Sequence, residues 1–384
     1  MRSGRSAAGP LAGPAGSAGP AGPAGPSGPA GPSGPAGRVG RVGRVGPRRR
    51  LVRVVVVALV ALWVLRRLLS PTRFEAPVWG PGSKVVRADD GVELYVEEDG
   101  NPAGDITVVF AHGYECRLDA FDAERARLRG ESDVRMIFYD HRGHGRSGWG
   151  DLTRATIDQL GRDMASILDA EAPTGPVVLV GHSMGGMTIM ALAQQRPELF
   201  GSRVVGIGLL STSAGELVAP FRRMLRVLSK PGALAVYLRL VSLLSPFWIR
   251  WRRIGTRRGY VVHRWLQFGR EERVTPEQVH HIQDMIEATA PPVAAAFAPT
   301  FISHDKTSAL ATLRPLPVLV VGGANDKLTP LSHARALARQ TQPDTEFIVV
   351  PHTGHWAIVT SPDVVTDGLL HLIDRSRERV RAAN

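Results

Sequence analysis

A serine at the tip of a glycine-flanked turn is the first residue of this chain that invites chemistry. Gly181-His182-Ser183-Met184-Gly185 follows the apolar run Pro176-Val177-Val178-Leu179-Val180 and precedes Thr188 to Ala193. That succession predicts strand, sharp turn and helix, with Ser183 at the apex. Small residues two before and two after the serine, here Gly181 and Gly185, let strand and helix approach closely. A hydroxyl is a weak nucleophile at neutral pH. It needs a base to take its proton, an acid to orient that base, and donors for the oxyanion formed on attack at a carbonyl.

Candidates for each role stand in the sequence. Pro317-Val318-Leu319-Val320-Val321 runs into Gly322-Gly323-Ala324-Asn325-Asp326, and Phe347-Ile348-Val349-Val350 runs into Pro351-His352-Thr353-Gly354-His355. Asp326 and His355 therefore both fall just past the ends of strands, as acid and base. Upstream, Ile106 to Phe110 leads into Ala111-His112-Gly113-Tyr114, a turn that can aim the Tyr114 backbone N–H at an oxyanion. The Met184 N–H is the second donor. Asp305 is the nearest competing acid and His352 the competing base. Ser183 as a plain helix cap and Asp326 as a plain turn residue are the structural alternatives. His112, Asp140, Arg142 and His144 are expected to brace the loops beneath the site, with direct substrate contact as the other possibility. Twelve histidines and one cysteine show no spacing suited to zinc, and the chemistry expected of Ser183 needs no cofactor.

On these residues the chain resembles the α/β-hydrolase superfamily from about Val85 to Ile373. The resemblance rests on His112-Gly113, the stretch Tyr139-Asp140-His141-Arg142-Gly143-His144-Gly145-Arg146-Ser147, the turn Gly181 to Gly186, Asp326 followed by Pro330, and Gly354-His355. The order Ser183, Asp326, His355 is that of the superfamily's triad. The resemblance implies a mainly parallel sheet flanked by helices on both faces, an α/β class, with a helical cap inserted over the site. It implies a serine ester hydrolase of the lipase or esterase branch, acting on a small-molecule ester or lipid. Carbon–carbon bond hydrolases, cofactor-free perhydrolases and acyltransferases share the same motifs. A pocket that binds a small molecule without catalysis is the reading from a different class. Relatives that open epoxides or remove halide carry an aspartate at the nucleophile position, so Ser183 argues against both.

The elements needed to position these groups are legible. A hairpin over Lys84–Arg87 and Val92–Glu97 turns at Asp89-Asp90-Gly91. Strands near 106–110, 134–139, 177–181, 203–209, 317–322 and 346–350 alternate with helices near 118–128, 153–169, 184–196, 331–340 and 362–376. That alternation predicts a parallel sheet covered on both faces. It stops between Leu210 and Pro315, where helix-like stretches fall at 217–228, 233–244, 257–268 and 276–288. The expected organisation is a tail over 1–50, an apolar helix over 51–73, a core over 74–210, a cap over 211–315 and the rest of the core over 316–384.

Charge separates these parts. The net charge is +12, yet residues 1–73 hold twelve arginines and no acid, and the remaining basic and acidic residues, 35 of each, cancel. The body is therefore no general polyanion binder, and no nucleic-acid partner is expected. From Gly19 to Arg48 glycine recurs every third residue, a collagen-like pattern read here as a disordered linker, with a translation start downstream of it as an alternative. Val54 to Leu65 is an uninterrupted apolar run, which extends over 51–69 at the cost of Arg53, Arg66 and Arg67. It reads as a membrane anchor, with a cleaved signal or a soluble segment as alternatives. Seven arginines between 38 and 53 against three between 66 and 73 favour a cytoplasmic N-terminus and an extracytoplasmic hydrolase domain. Cytoplasmic or secreted placement is the alternative. Between 211 and 275 the cap carries thirteen basic and three acidic residues interleaved with Phe221, Tyr237, Phe247, Trp248, Trp251, Trp265 and Phe268, so it is a second candidate for membrane contact.

Overall fold

The computed structural model describes residues 84–215, 271–341 and 345–383, with isolated positions between 216 and 270 (217, 232, 236, 237, 239, 240, 243, 264 and 267–269). The tail, the apolar run 51–69 and most of 216–270 lie outside the described residues. The expectations placed there, including the helices at 217–228, 233–244 and 257–268 and the basic aromatic face, lie outside them too. Among the described residues no helix is long and apolar enough to cross a membrane.

Eight strands form one sheet: β1 (Lys84–Arg87), β2 (Glu93–Gly100), β3 (Thr107–Ala111), β4 (Arg135–Tyr139), β5 (Val177–His182), β6 (Val204–Leu210), β7 (Val318–Gly323) and β8 (Thr345–Val350). Their spatial order is β1-β2-β4-β3-β5-β6-β7-β8. Only β2 runs against its neighbours; every pair from β4 to β8 is parallel. The fold is that of an α/β hydrolase, as the sequence implied. The longer described helices are α1 (Asp122–Glu131), α2 (Ile157–Glu171), α3 (Met184–Gln195), α4 (Pro276–Ala288), α5 (Pro291–Ser303), α6 (Leu331–Thr341) and α7 (Pro362–Ala383).

Period-2 alternation divides the central strands between two apolar layers. Val109, Ala111, Leu179 and Val320 join one layer with Met164 and Ile167 of α2, Ile189 of α3 and Leu337 of α6. Val108, Phe110, Val180 and Val321 join the other with Leu128 of α1 and Leu369 and Leu372 of α7. Both sheet faces are thus covered, which is why the parallel strands read as unbroken Val and Leu runs. Helix α3 is buried over ten of its residues, as expected of a helix apolar on nearly every side.

Register brings distant segments to one end of the sheet. Ala111 lies beside Gly181, His182 beside Leu210, and Gly323 beside Val350. The loops that begin at His112, Ser183, Ser211, Ala324 and Pro351 therefore all leave from the carboxyl ends of neighbouring parallel strands, where open α/β sheets hold their ligands.

Candidate active site

Ser183 occupies a backbone conformation that few side chains tolerate, with φ 53° and ψ −113°. Such a conformation costs on the order of 1–3 kcal/mol and persists only where its surroundings enforce it. They do so by closeness. A Cβ on Gly185 would lie 1.9 Å from the Ala111 carbonyl oxygen, and one on Gly181 would lie 2.4 Å from the Gly185 carbonyl carbon. Strand β5 and helix α3 meet at a separation only glycines allow. From below, the Thr212 hydroxyl donates to the Ser183 carbonyl oxygen at 2.6 Å. Thr212 carries no motif, and its role was not legible in the sequence.

The structure brings Ser183, His355 and Asp326 together. His355 Nε2 is 2.9 Å from Ser183 Oγ, and His355 Nδ1 is 2.8 Å from Asp326 Oδ2. Asp326 is fully engaged: Oδ1 accepts the N–H groups of Leu328 at 2.8 Å and Thr329 at 2.9 Å, and Oδ2 accepts the Thr329 hydroxyl at 2.8 Å. Burial pushes the Asp326 carboxyl up. The His355 imidazole and the hydrogen bonds from His355 and Thr329 outweigh that and hold it below the ordinary carboxylate value. An ionised Asp326 accepts a hydrogen bond from Nδ1–H, which leaves the Nε2 lone pair facing the serine hydroxyl. Thr329 is a second residue missed from sequence. The signal was present, since Asp326-x-x-Thr329 is the spacing of a side chain capping its own turn.

His182 ties the serine's turn to the loop of His355. Its Nε2 donates to the His355 carbonyl oxygen at 3.1 Å. Burial, helped by the neighbouring His355, brings its imidazole down to about 3, so it stays neutral. Gly113 lies against the same turn, and a Cβ there would be 2.9 Å from His182 Nδ1 and 3.3 Å from Ser183 Cβ. Tyr114 follows it directly. Met184 begins helix α3, where an N–H has no partner within the helix. Tyr114 thus follows the residue packed against the serine's turn, and Met184 follows Ser183 directly.

The competing candidates are elsewhere. His352 faces solvent and pairs with Glu271 at 2.9 Å. Asp305 accepts the Thr307 N–H at 3.1 Å and bridges to Gly215. His112, His141 and His144 are buried and bonded to one another's backbone or their own loop. Burial keeps all three uncharged, bringing His141 to about 3 and His144 to about 4. Asp140 accepts the N–H groups of Leu118 and Arg146, each at 2.8 Å. Arg142 is buried between Asp163 and Asp90, to which it donates four hydrogen bonds of 2.6–3.0 Å. These five residues hold loops through their hydrogen bonds. Beside the serine, Met184, Met187, Val293 and Phe297 form an apolar cluster with Tyr114 and Trp149 packed against it. Among the described residues no group of three or more His, Cys, Asp or Glu side chains could hold a metal ion.

Comparison with known proteins agrees with this fold. The model of the alpha/beta hydrolase family matches residues 108–367. A relative from Caulobacter sp. (strain K31), named "Putative carbamate hydrolase RutD", is 29% identical over 282 residues, covering 73% of this chain and 95% of its own length. A thermophilic esterase from Thermogutta terrifontis superposes with a TM-score of 0.59 at 25% identity, covering 77% of this chain and 98% of its own. The enol-lactonase of Burkholderia xenovorans LB400 gives 0.56 at 22% identity, with 76% and 100% covered.

Proposed function

The chain belongs to the alpha/beta hydrolase family, and we propose that it is a serine hydrolase cleaving a carboxylic ester with an apolar acyl or alcohol part. The observation that carries this reading is the unbroken file from Ser183 Oγ through both nitrogens of His355 to Asp326, with contacts of 2.9 and 2.8 Å. In the first half-reaction His355 Nε2 takes the hydroxyl proton as Ser183 Oγ bonds to the carbonyl carbon. The N–H groups of Tyr114 and Met184 receive the oxyanion, where one donor contributes about 3 kcal/mol. The carbon–oxygen bond to the leaving group then breaks, and Nε2 returns the proton to the departing alkoxide. Water, deprotonated by the same nitrogen, releases the acid and restores the serine. Asp326 holds the imidazole in the required tautomer and stabilises its charged form.

The apolar cluster beside Met184 supports an apolar substrate. A carbamate is the second reading, favoured by the name of the Caulobacter relative at 29% identity; it would pass through a carbamoyl-enzyme on the same residues. We assign residues 211–315 as the cap and 51–69 as a membrane tether, on the sequence features given above.

The test is covalent labelling of the full chain by a fluorophosphonate, read by intact mass, with Ser183→Ala and His355→Ala alongside. One adduct on the parent and none on either variant is expected. No adduct on the folded parent would remove the hydrolase reading. Matched ester and carbamate panels then separate the two substrate classes by kcat/KM.

A further inference from the structure

A short stretch within the insertion, from Arg264 to Glu272, holds the loop that carries His355. The Gln267 carbonyl oxygen accepts the His355 N–H at 2.8 Å, and the Gln267 side-chain oxygen accepts Trp356 Nε1–H at 2.6 Å. One oxygen of Glu272, Oε2, accepts both the Gly269 N–H at 2.6 Å and the Gly354 N–H at 2.9 Å. Glu272 is buried, 7% exposed, and lies 82 positions from Gly354 in sequence. A buried carboxylate with two backbone donors is a strong, charge-assisted clasp, because removing it strands two N–H groups away from water. The strands of the clasp also touch without side chains between them. A Cβ on Gly269 would lie 1.9 Å from the His352 carbonyl oxygen, and one on Gly354 would lie 2.4 Å from that of Gln267. Arg264 fixes the turn from behind, donating to the carbonyl oxygens of Gly269 and Glu272, each at 2.8 Å.

We propose that Glu272 is a positioning residue for His355, and that through the Gln267–Glu272 clasp the docking of the insertion sets whether the base faces Ser183. This rests on the reading of His355 as the base. The main-chain bond from His355 to Gln267 and the Glu272 bond one residue earlier fix the direction in which the imidazole leaves the loop. Asp326 holds the ring and His182 the backbone carbonyl of His355, and neither contact fixes its backbone N–H. Other buried polar groups carry less. Glu124 is buried with neither oxygen hydrogen-bonded, whereas Glu272 bonds directly to the residue before the base.

The experiment uses the full chain with Glu272→Ala and Glu272→Gln, p-nitrophenyl acetate as a small ester, and amide hydrogen exchange followed by mass spectrometry. For Glu272→Ala, kcat is expected to fall about 10- to 100-fold, the cost of a displacement near 1 Å in a catalytic group. KM for the small ester stays within about twofold, because binding is not what is lost. Glu272→Gln, which keeps an acceptor oxygen, restores most of the lost kcat. Exchange rises in residues 352–356 and not in strand β7. Unchanged kcat and unchanged exchange in Glu272→Ala would overturn the proposal, as would an equal loss in Glu272→Gln. The exchange measurement does not depend on turnover. A parent that fails to react with fluorophosphonate therefore sinks the hydrolase reading, while the clasp is still judged by exchange. If Glu272→Ala does not fold, Gln267→Ala takes its place, with faster exchange at 352–356 expected and no change overturning the proposal.

Discussion

The hydrogen bond from Thr212 to the Ser183 carbonyl isolates one support of the nucleophile in a way that substitution can test. Valine keeps the shape of the side chain under Gly186, whose Cβ would meet Thr212 Oγ1 at 2.7 Å, and removes only the hydroxyl. Thr212→Val should slow fluorophosphonate labelling about fivefold, the equivalent of a net hydrogen bond near 1 kcal/mol, and Thr212→Ser should recover it. Thr329→Val acts on the acid instead. It removes the hydroxyl from Asp326 Oδ2, so kcat should fall with KM little changed. Ser183, Asp326 and His355 could be picked from sequence because each closes a strand-plus-turn pattern. Thr212 and Glu272 could not: their partners lie 29 and 82 residues away, and nothing local marks either as special.

At the level of elements, the strands were readable because burial on both faces forces continuous Val, Leu and Ile, and turns of glycine and proline end each run. Helix α5 was not. Pro291, Pro292 and Pro299 suggest a break, yet two prolines sit in the first turn, where the missing N–H is harmless, and Pro299 is accommodated inside. The helices expected at 276–288, 331–340 and 362–376 agree with α4, α6 and the start of α7. Helix α1 carries one costly residue. Glu124 is fully buried with both oxygens unpartnered, and burial pushes its carboxyl well above the ordinary value. An acid whose value is raised by folding binds more protons folded than unfolded, so stability is complete below the unfolded value and declines as pH rises past it. Glu124→Gln should therefore melt higher than the parent at pH 8 and show a smaller difference at pH 4. Thermal denaturation at the two pH values reads this directly, and equal differences would exclude it.

On the scale of the whole chain, Arg142 links separate segments. It is 1% exposed and joins Asp90 of the β1–β2 turn to Asp163 of α2. Arg142→Met leaves Asp163 buried without its cation and Asp90 with only the 3.5 Å contact to Arg154, and should cost about 3–5 kcal/mol in denaturant unfolding. The uneven charge makes a different prediction. Removing residues 1–73 takes away all the net positive charge, and under the tether proposal it should abolish sedimentation with anionic vesicles while kcat on a soluble ester is unchanged. The sheet itself sets a schedule. Strand β6 pairs with β7 across the whole insertion, and Ser183 meets a base 172 residues further on. During synthesis at about 5–20 residues per second, the nucleophile leaves the ribosome some 10–35 s before His355 does. Throughout that interval the nascent chain holds Ser183 without the base proposed for it, and the insertion proposed as a cap is synthesised before that base arrives.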